Sequence, residues 1–356
     1  MVKKILYGLL IAAPVAIAGK LLNWDPVIVF VAAAVGVIPL ADILGEATEE
    51  LAIRTGPRIG GLLNATLGNA AELIITIFAI NAGLIELVKA SITGSILGNL
   101  LLVLGMSILT GGLKNGLQTF NRRTAALNGT LVVLAVIALV IPSLFDAAIA
   151  PNTIAETSFS EGVALVMILL YALTVVNSLT GGEDPITRDG ADVNATKWSV
   201  KRSLATLASA TIGIAVLSEI LVSAVEPVTK SLGLTEFFIG IIIIPIVGNV
   251  AEHLVAVEVA LKNKMELSLE ISLGSSLQVA LFVAPLLVFI SLLFGHSLLL
   301  VFTPFELIAL FSAALVAELV AVDGESNWLE GAMLLAVYLI VALAFYFLPA
   351  GATIGR

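Results

Sequence analysis

The chain has 356 residues, of which 59% are hydrophobic and only 12% charged, where a soluble domain carries roughly 25% charged residues. A formal net charge of -9 with sparse, scattered Lys and Arg leaves no basic patch for nucleic acid. The absence of cysteine excludes disulfides and thiolate metal sites.

The apolar residues come in runs of about 20, the length that crosses roughly 30 Å of hydrocarbon. In chain order, about eleven spans are predicted: 4–22, 26–45, 58–82, 86–110, 124–144, 160–180, 199–225, 236–261, 266–294, 304–322 and 327–348. Each must be helical, because backbone polar groups facing lipid have no water to satisfy them. The expected fold is therefore an all-α polytopic membrane protein. Met1-Val-Lys-Lys and the apolar run after it resemble a signal peptide, but no small-residue cleavage site is clear and residues 1–25 read as a retained N-terminal transmembrane helix. Trp24, Trp198 and Trp328 each fall at a span entrance, as an interfacial belt requires.

Lys and Arg set the orientation. With a cytoplasmic N-terminus, only Lys20, Lys89, Lys230 and Arg356 of the 17 basic residues fall outside, and the other 13 fall inside. Residues 181–198 then form an acidic cytoplasmic connection carrying Glu183, Asp184, Asp189 and Asp192. It reads as a solvated linker or as a segment that gathers cations.

The segments on either side of it are copies. Gly68-Asn69-Ala70-Ala71-Glu72 returns as Gly248-Asn249-Val250-Ala251-Glu252, at an offset of 180. The same offset pairs Glu46 with Glu226, Gly60 with Gly240, Glu86 with Glu266, Gly94 with Gly274 and Ser95 with Ser275. Five span steps separate the copies, and an odd number inverts them. The expected organisation is thus the N-terminal helix, a first five-helix repeat at 26–180 and a second at 199–356 with inverted topology. Inverted repeats of this kind mark secondary transporters, whose sites lie near the midplane at the repeat interface.

Glu72 and Glu252 carry the chemistry. A carboxylate inside a span costs several kcal/mol unless compensated, which makes it a functional hypothesis by default. Asn69, Glu72 and Thr76 are spaced to share one helix face. Gly68 allows the backbone to open, and Pro245 can break the helix ahead of Asn249 and Glu252. Carboxylate, amide and backbone oxygens are what a hard cation takes, calcium wanting 6–8 of them. Ser95 with Asn99, and Ser275 with Gln278, are spaced to complete such a shell. The competing structural reading makes both glutamates protonated helix–helix cross-links and the serines small-residue packing. Glu49 and Glu50 lie near the inner end of the second span, Glu219 lies inside the seventh, and His253 follows Glu252 on another helix face.

Gly-Asn-Ala-Ala-Glu with Gly-Ser-Ile-Leu-Gly-Asn-Leu-Leu-Leu-Val-Leu-Gly at 94–105, then Pro-Ile-Val-Gly-Asn-Val-Ala-Glu-His at 245–253 with Gly-Ser-Ser-Leu-Gln, resembles the calcium/proton exchangers of the calcium/cation antiporter superfamily. The likeness covers nearly the whole chain. It implies that Glu72 and Glu252 are the central ion-binding carboxylates, and that His253 stands where the family's second motif has its His. It also implies a cytoplasmic cation vestibule near Glu49 and Glu50. Gly98 stands where many members have Ser. Sodium/calcium exchangers share the inverted repeat but usually carry Thr/Ser-rich motifs and an Asp in one copy, which are missing here.

The expected function is exchange of calcium for protons by alternating access. Desolvation favours a carboxylate's neutral form and a bound divalent cation its charged form, so one pair of glutamates holds either protons or calcium. His253 and Glu219 are secondary proton candidates. No catalytic residue and no cofactor are assigned; the partners are membrane lipid, calcium and protons. The expected location is the plasma membrane of a prokaryote, and a homo-oligomer stays open. The alternatives are a sodium- or potassium-coupled antiporter, a channel, or an intramembrane enzyme, for which no His-Glu-x-x-His or Gly-x-Gly-Asp motif is found.

Overall fold

The structure, a computed structural model, describes residues 2–149, 153–180 and 198–349. Its helices in chain order are α1 (Val2–Leu9), α2 (Ala12–Leu21), α3 (Pro26–Leu67), α4 (Ala70–Asn81), α5 (Ile85–Leu97), α6 (Leu104–Asn115), α7 (Arg122–Ile149), α8 (Thr153–Thr180), α9 (Val200–Leu232), the single turn α10 (Glu236–Phe238), α11 (Ile244–Leu261), α12 (Met265–Gln278), α13 (Ala284–Leu293), α14 (Pro304–Val322) and α15 (Trp328–Tyr346). Three π-helical stretches, Gly98–Val103, Ile239–Ile243 and Val279–Val283, join α5 to α6, α10 to α11 and α12 to α13 without a break. The acidic connection at 181–197 lies outside the described residues.

Among the described residues nine helices are long and apolar enough to cross a membrane. Two shorter apolar elements, Ile5–Leu21 and Ala70–Asn81, lie where the first span and the end of the third are expected. The protein is an all-α polytopic membrane protein, and most span boundaries agree with the hydropathy reading, 304–322 to the residue. Local chemistry fixes several helix starts. Asp25 accepts from Val27 N at 2.8 Å with Pro26 in the first turn of α3, and Thr303 and Glu306 form a capping box ahead of Pro304.

The structure corrects three expectations. The first span is interrupted, with turns at Leu10 and Ile11 separating α1 from α2. No loop separates the second and third spans, since α3 is continuous for 42 residues. A straight helix of that length would run about 63 Å, so it has to bend. The backbone of Gly60 lies against the carbonyl of Ala52, although residues eight apart in a straight helix are about 12 Å distant. The helix therefore folds back between them, where the sequence Gly56-Pro57 supplies kink-forming residues. Third, Trp198 is not a belt residue. It is buried, whereas Trp24 and Trp328 are exposed as expected.

The chain forms two compact units, and each half of the sequence contributes to both. Residues 1–82, 169–234 and 247–251 make one; 83–168, 235–246 and 252–356 make the other. In the first unit α3 packs along α9, with α2 on α3 and α4 on α9. Small residues allow this: Ala41, Ala70, Ala71 and Ala210 surround Leu44 and Ile214 in one buried cluster. Without a hydrophobic driving force in lipid, close packing of this sort carries helix association. In the second unit α6 packs on α15 and α7 on α14. Gly105 and Gly331 mark the α6–α15 crossing, where a Cβ on Gly331 would collide with Leu109 N. A two-residue strand pair, Gln118–Thr119 with Glu325–Ser326, ties the α6–α7 linker to the α14–α15 linker.

Candidate functional site

Glu72 stands in the first turn of α4, just past the backbone break at Gly68 and Asn69. Expected mid-helix, it lies instead at a helix N-terminus, where the macrodipole offsets part of the cost of a buried carboxylate. The residue is fully buried, and Asn69, the N-cap residue of α4, is 4% exposed. Asn69 is therefore not on a shared helical face with Glu72 and Thr76. Thr76 turns its hydroxyl back onto the Glu72 and Leu73 carbonyls, at 2.9 and 3.0 Å, a helix-internal bond.

Asn249 reaches this carboxylate from the other sequence copy. Its Nδ2 donates to Glu72 Oε2 at 3.3 Å. Gly248 makes room for the approach: a Cβ there would sit 3.3 Å from Glu72 Cβ and 3.4 Å from its Cα. Each Gly-Asn pair thus has its own task. Gly68-Asn69 opens the backbone, and Gly248-Asn249 packs against the opposite glutamate.

The second copy does not repeat the break. Pro245 can break a helix, but α11 runs unbroken from Ile244 to Leu261, with the π turns of Ile239–Ile243 ahead of the proline. Pro245 has no N–H to offer the Ile241 carbonyl four residues back. Gly94 of α5 packs against that carbonyl, which would collide with a Cβ at this position. Three residues past Asn249, Glu252 is partly buried and accepts from the Ser275 hydroxyl on α12 at 2.7 Å, the length of a charge-assisted O–H···O bond.

Ser95, Asn99, Ser275 and Gln278 all belong to the second unit, where α12 packs on α5 and on the π stretch that holds Asn99. Ser95, Asn99 and Ser275 are buried, and Gln278 is partly so. Asn99 Nδ2 is buried without a hydrogen-bond partner among the described residues. An orphaned donor of this kind costs roughly 1–3 kcal/mol.

The secondary candidates scatter. Glu49 and Glu219 are exposed. His253 is partly buried beside Glu252, and its imidazole makes no hydrogen bond among the described residues. Glu50 is buried and accepts from Trp198 N at 3.2 Å, while Arg54 Nε donates to Trp198 O at 2.6 Å. Arg202 stacks 4.5 Å from the indole centroid. These contacts clamp the end of the acidic connection to α3.

One buried carboxylate escaped the sequence reading. Glu306, 1% exposed, accepts from Thr93 Oγ1 at 2.9 Å and from Thr303 N at 2.8 Å. The signal was present as Thr303-Pro304-Phe305-Glu306, a capping-box pattern. No group of three or more His, Asp or Glu that could hold a metal occurs among the described residues. A cation here would draw on single carboxylates together with amide, hydroxyl, backbone and water oxygens.

The sodium/calcium exchanger protein family model matches residues 26–180 and 202–347. The chain is 44% identical to a Ca(2+)/H(+) antiporter of Aphanothece halophytica, covering 99% of this chain and 98% of that protein. It is 45% identical to the Ca(2+)/H(+) antiporter ChaA of Bacillus subtilis, covering 96% and 99%. Its fold is similar to the solved structure of native YfkE, with a TM-score of 0.84 and 43% identity over 96% of this chain and all of that one. The H+/Ca2+ exchanger CAX, 15% identical with a TM-score of 0.69 over 97% of this chain and 92% of that one, shares the fold.

Proposed function

Because the chain belongs to the sodium/calcium exchanger protein family, we propose that it exchanges calcium for protons across the membrane, with Glu72 and Glu252 as shared sites. The observation that carries the exchange is identity of 43–45% along nearly the full length of proteins named Ca(2+)/H(+) antiporters. What supports the two glutamates is their place in the paired motifs, with Asn249 on one and Ser275 on the other.

In this reading each carboxylate is either protonated or coordinated, never both. Calcium entering a desolvated site displaces protons, and protons returning expel calcium. The Asn249 amide and Ser275 hydroxyl hold the carboxylate oxygens in place, and nearby amide and backbone oxygens fill the cation's shell. Two inverted five-helix repeats, 26–180 and 199–356, alternate the site between the two sides of the membrane. The N-terminus lies in the cytoplasm of a prokaryotic cell. The protein catalyses no covalent chemistry and needs no resident cofactor.

Radioactive calcium uptake into inverted vesicles with an imposed pH gradient tests this. Uptake should follow the gradient and collapse with a protonophore. Uptake driven equally by a sodium or potassium gradient without a pH gradient would replace the proton with that cation.

A further inference from the structure

The turn between α2 and α3 and the Leu232 end of α9 border an open recess of about 330 Å³ within the first unit. Lys20, Asn23, Trp24, Pro26, Ser223 and Pro227 are among its lining residues. Ligand sites run from about 300 to 1,000 Å³, so this one has room for a small polar group.

Its chemistry favours an anion. Lys20 Nζ donates to Ser223 Oγ at 2.8 Å, a neutral partner that leaves the ammonium charge uncompensated. Among the described residues Lys20 forms no ion pair. Of the flanking acids, Glu226 is paired with Lys230 at 2.6 Å, and Asp25 turns its carboxylate onto Val27 N at 2.8 Å as the cap of α3 while keeping its charge.

Its surroundings favour a lipid. Trp24, which lines the cavity, is exposed, and so are its neighbours along the chain Leu21, Leu22 and Ile28. Asn23 takes the left-handed conformation, φ 53°, that turns the chain there. A polar, cationic recess lined by a tryptophan, with exposed apolar side chains next to it along the chain, has the make-up of the membrane–water boundary.

We infer that this cavity binds the phosphate-bearing headgroup of a phospholipid, with Lys20 as its cation and the acyl chains along Leu21 and Ile28. The lipid bridges α2 and α9 beside the Lys20–Ser223 bond. Native mass spectrometry of the detergent-purified protein reads the binding directly, with phosphatidylglycerol, diacylglycerol and inorganic phosphate as separate probes. Wild type should retain phosphatidylglycerol and release diacylglycerol. Lys20→Met should bind phosphatidylglycerol at least tenfold more weakly, as expected for a lost charge-assisted bond, and Lys20→Arg should keep it. Equal retention by wild type and Lys20→Met would overturn the site. Binding of inorganic phosphate without the lipid would overturn the lipid as its occupant. A photoactivatable phosphatidylglycerol on the wild-type protein gives a check free of any variant: the label should fall within 19–29 and 223–227, and label confined to other segments refutes the assignment.

Discussion

Gly94 and Gly274 are partners under the 180 offset, yet their surroundings predict opposite responses to one added methyl. A Cβ at Gly94 would meet the carbonyl oxygen of Ile241, with the carbonyl carbon at 2.6 Å and Pro245 Cγ at 2.7 Å. Carbon contacts are comfortable at about 3.5–4.0 Å, so α5 and the π turns would have to part by roughly 1 Å. The obstructing atoms are backbone and a proline ring, and neither can rotate aside. Overpacking costs about 1–3 kcal/mol, and backbone contacts belong at the upper end. Alanine returns about 1 kcal/mol of helix propensity, leaving Gly94→Ala destabilised by about 2 kcal/mol. Nothing lies within 4 Å of a Cβ at Gly274, so only the gain applies there. The two variants should therefore differ by about 3 kcal/mol, with thermal midpoints on either side of wild type. Unfolding of the three proteins in one detergent measures this. Equal midpoints, or a lower one for Gly274→Ala, would refute the close α5–Ile241 crossing.

Glu72→Gln and Glu252→Gln should each abolish exchange at normal expression, because Gln keeps the shape but neither ionises nor titrates; wild-type transport by either variant removes that glutamate from the mechanism. Calcium affinity of the purified wild type should fall as pH drops and protons compete for the carboxylates, and a flat profile would separate the proton sites from the calcium site. Ser275→Ala removes the 2.7 Å donor to Glu252; at about 1.5–3 kcal/mol for a bond to a charged group, calcium affinity should fall roughly tenfold or more, as isothermal titration would record. Trp198→Ala deletes a buried ring together with its Arg202 stack, and thermal unfolding should show a loss of about 3–5 kcal/mol.

Hydropathy exposed the spans because transfer into lipid depends on composition, which a window reads directly. It could not show that α3 stays helical through residues 46–57. Those residues are polar enough for a loop, and only the contact of Gly60 with Ala52 reveals the fold-back. The paired Gly-Asn motifs pointed to Glu72 and Glu252 because the offset of 180 is a property of the sequence itself. Their unequal geometry was hidden. Gly68 and Gly248 are the same residue in matched motifs, yet one sits at a break and the other lies against the opposite glutamate. The inward turn of Trp198 was likewise illegible, since its partners Glu50 and Arg54 lie some 150 positions upstream. Ser275 was recognisable as a polar candidate for the proposed site, but its bond to Glu252 depends on how α12 meets α11.

The π stretches at Gly98–Val103 and Val279–Val283 fall on one another under the offset of 180, apart from one residue at the start. A π turn holds one residue more than an α-helix needs for the same climb. Each extra residue swings everything after it by about 100°, so α6 and α13 present faces that an uninterrupted helix would have aimed elsewhere. The widened turn falls at matching places in both sequence copies. Removing a single residue from either stretch would undo that rotation, turning the whole downstream helix to another face while leaving composition and hydropathy almost untouched.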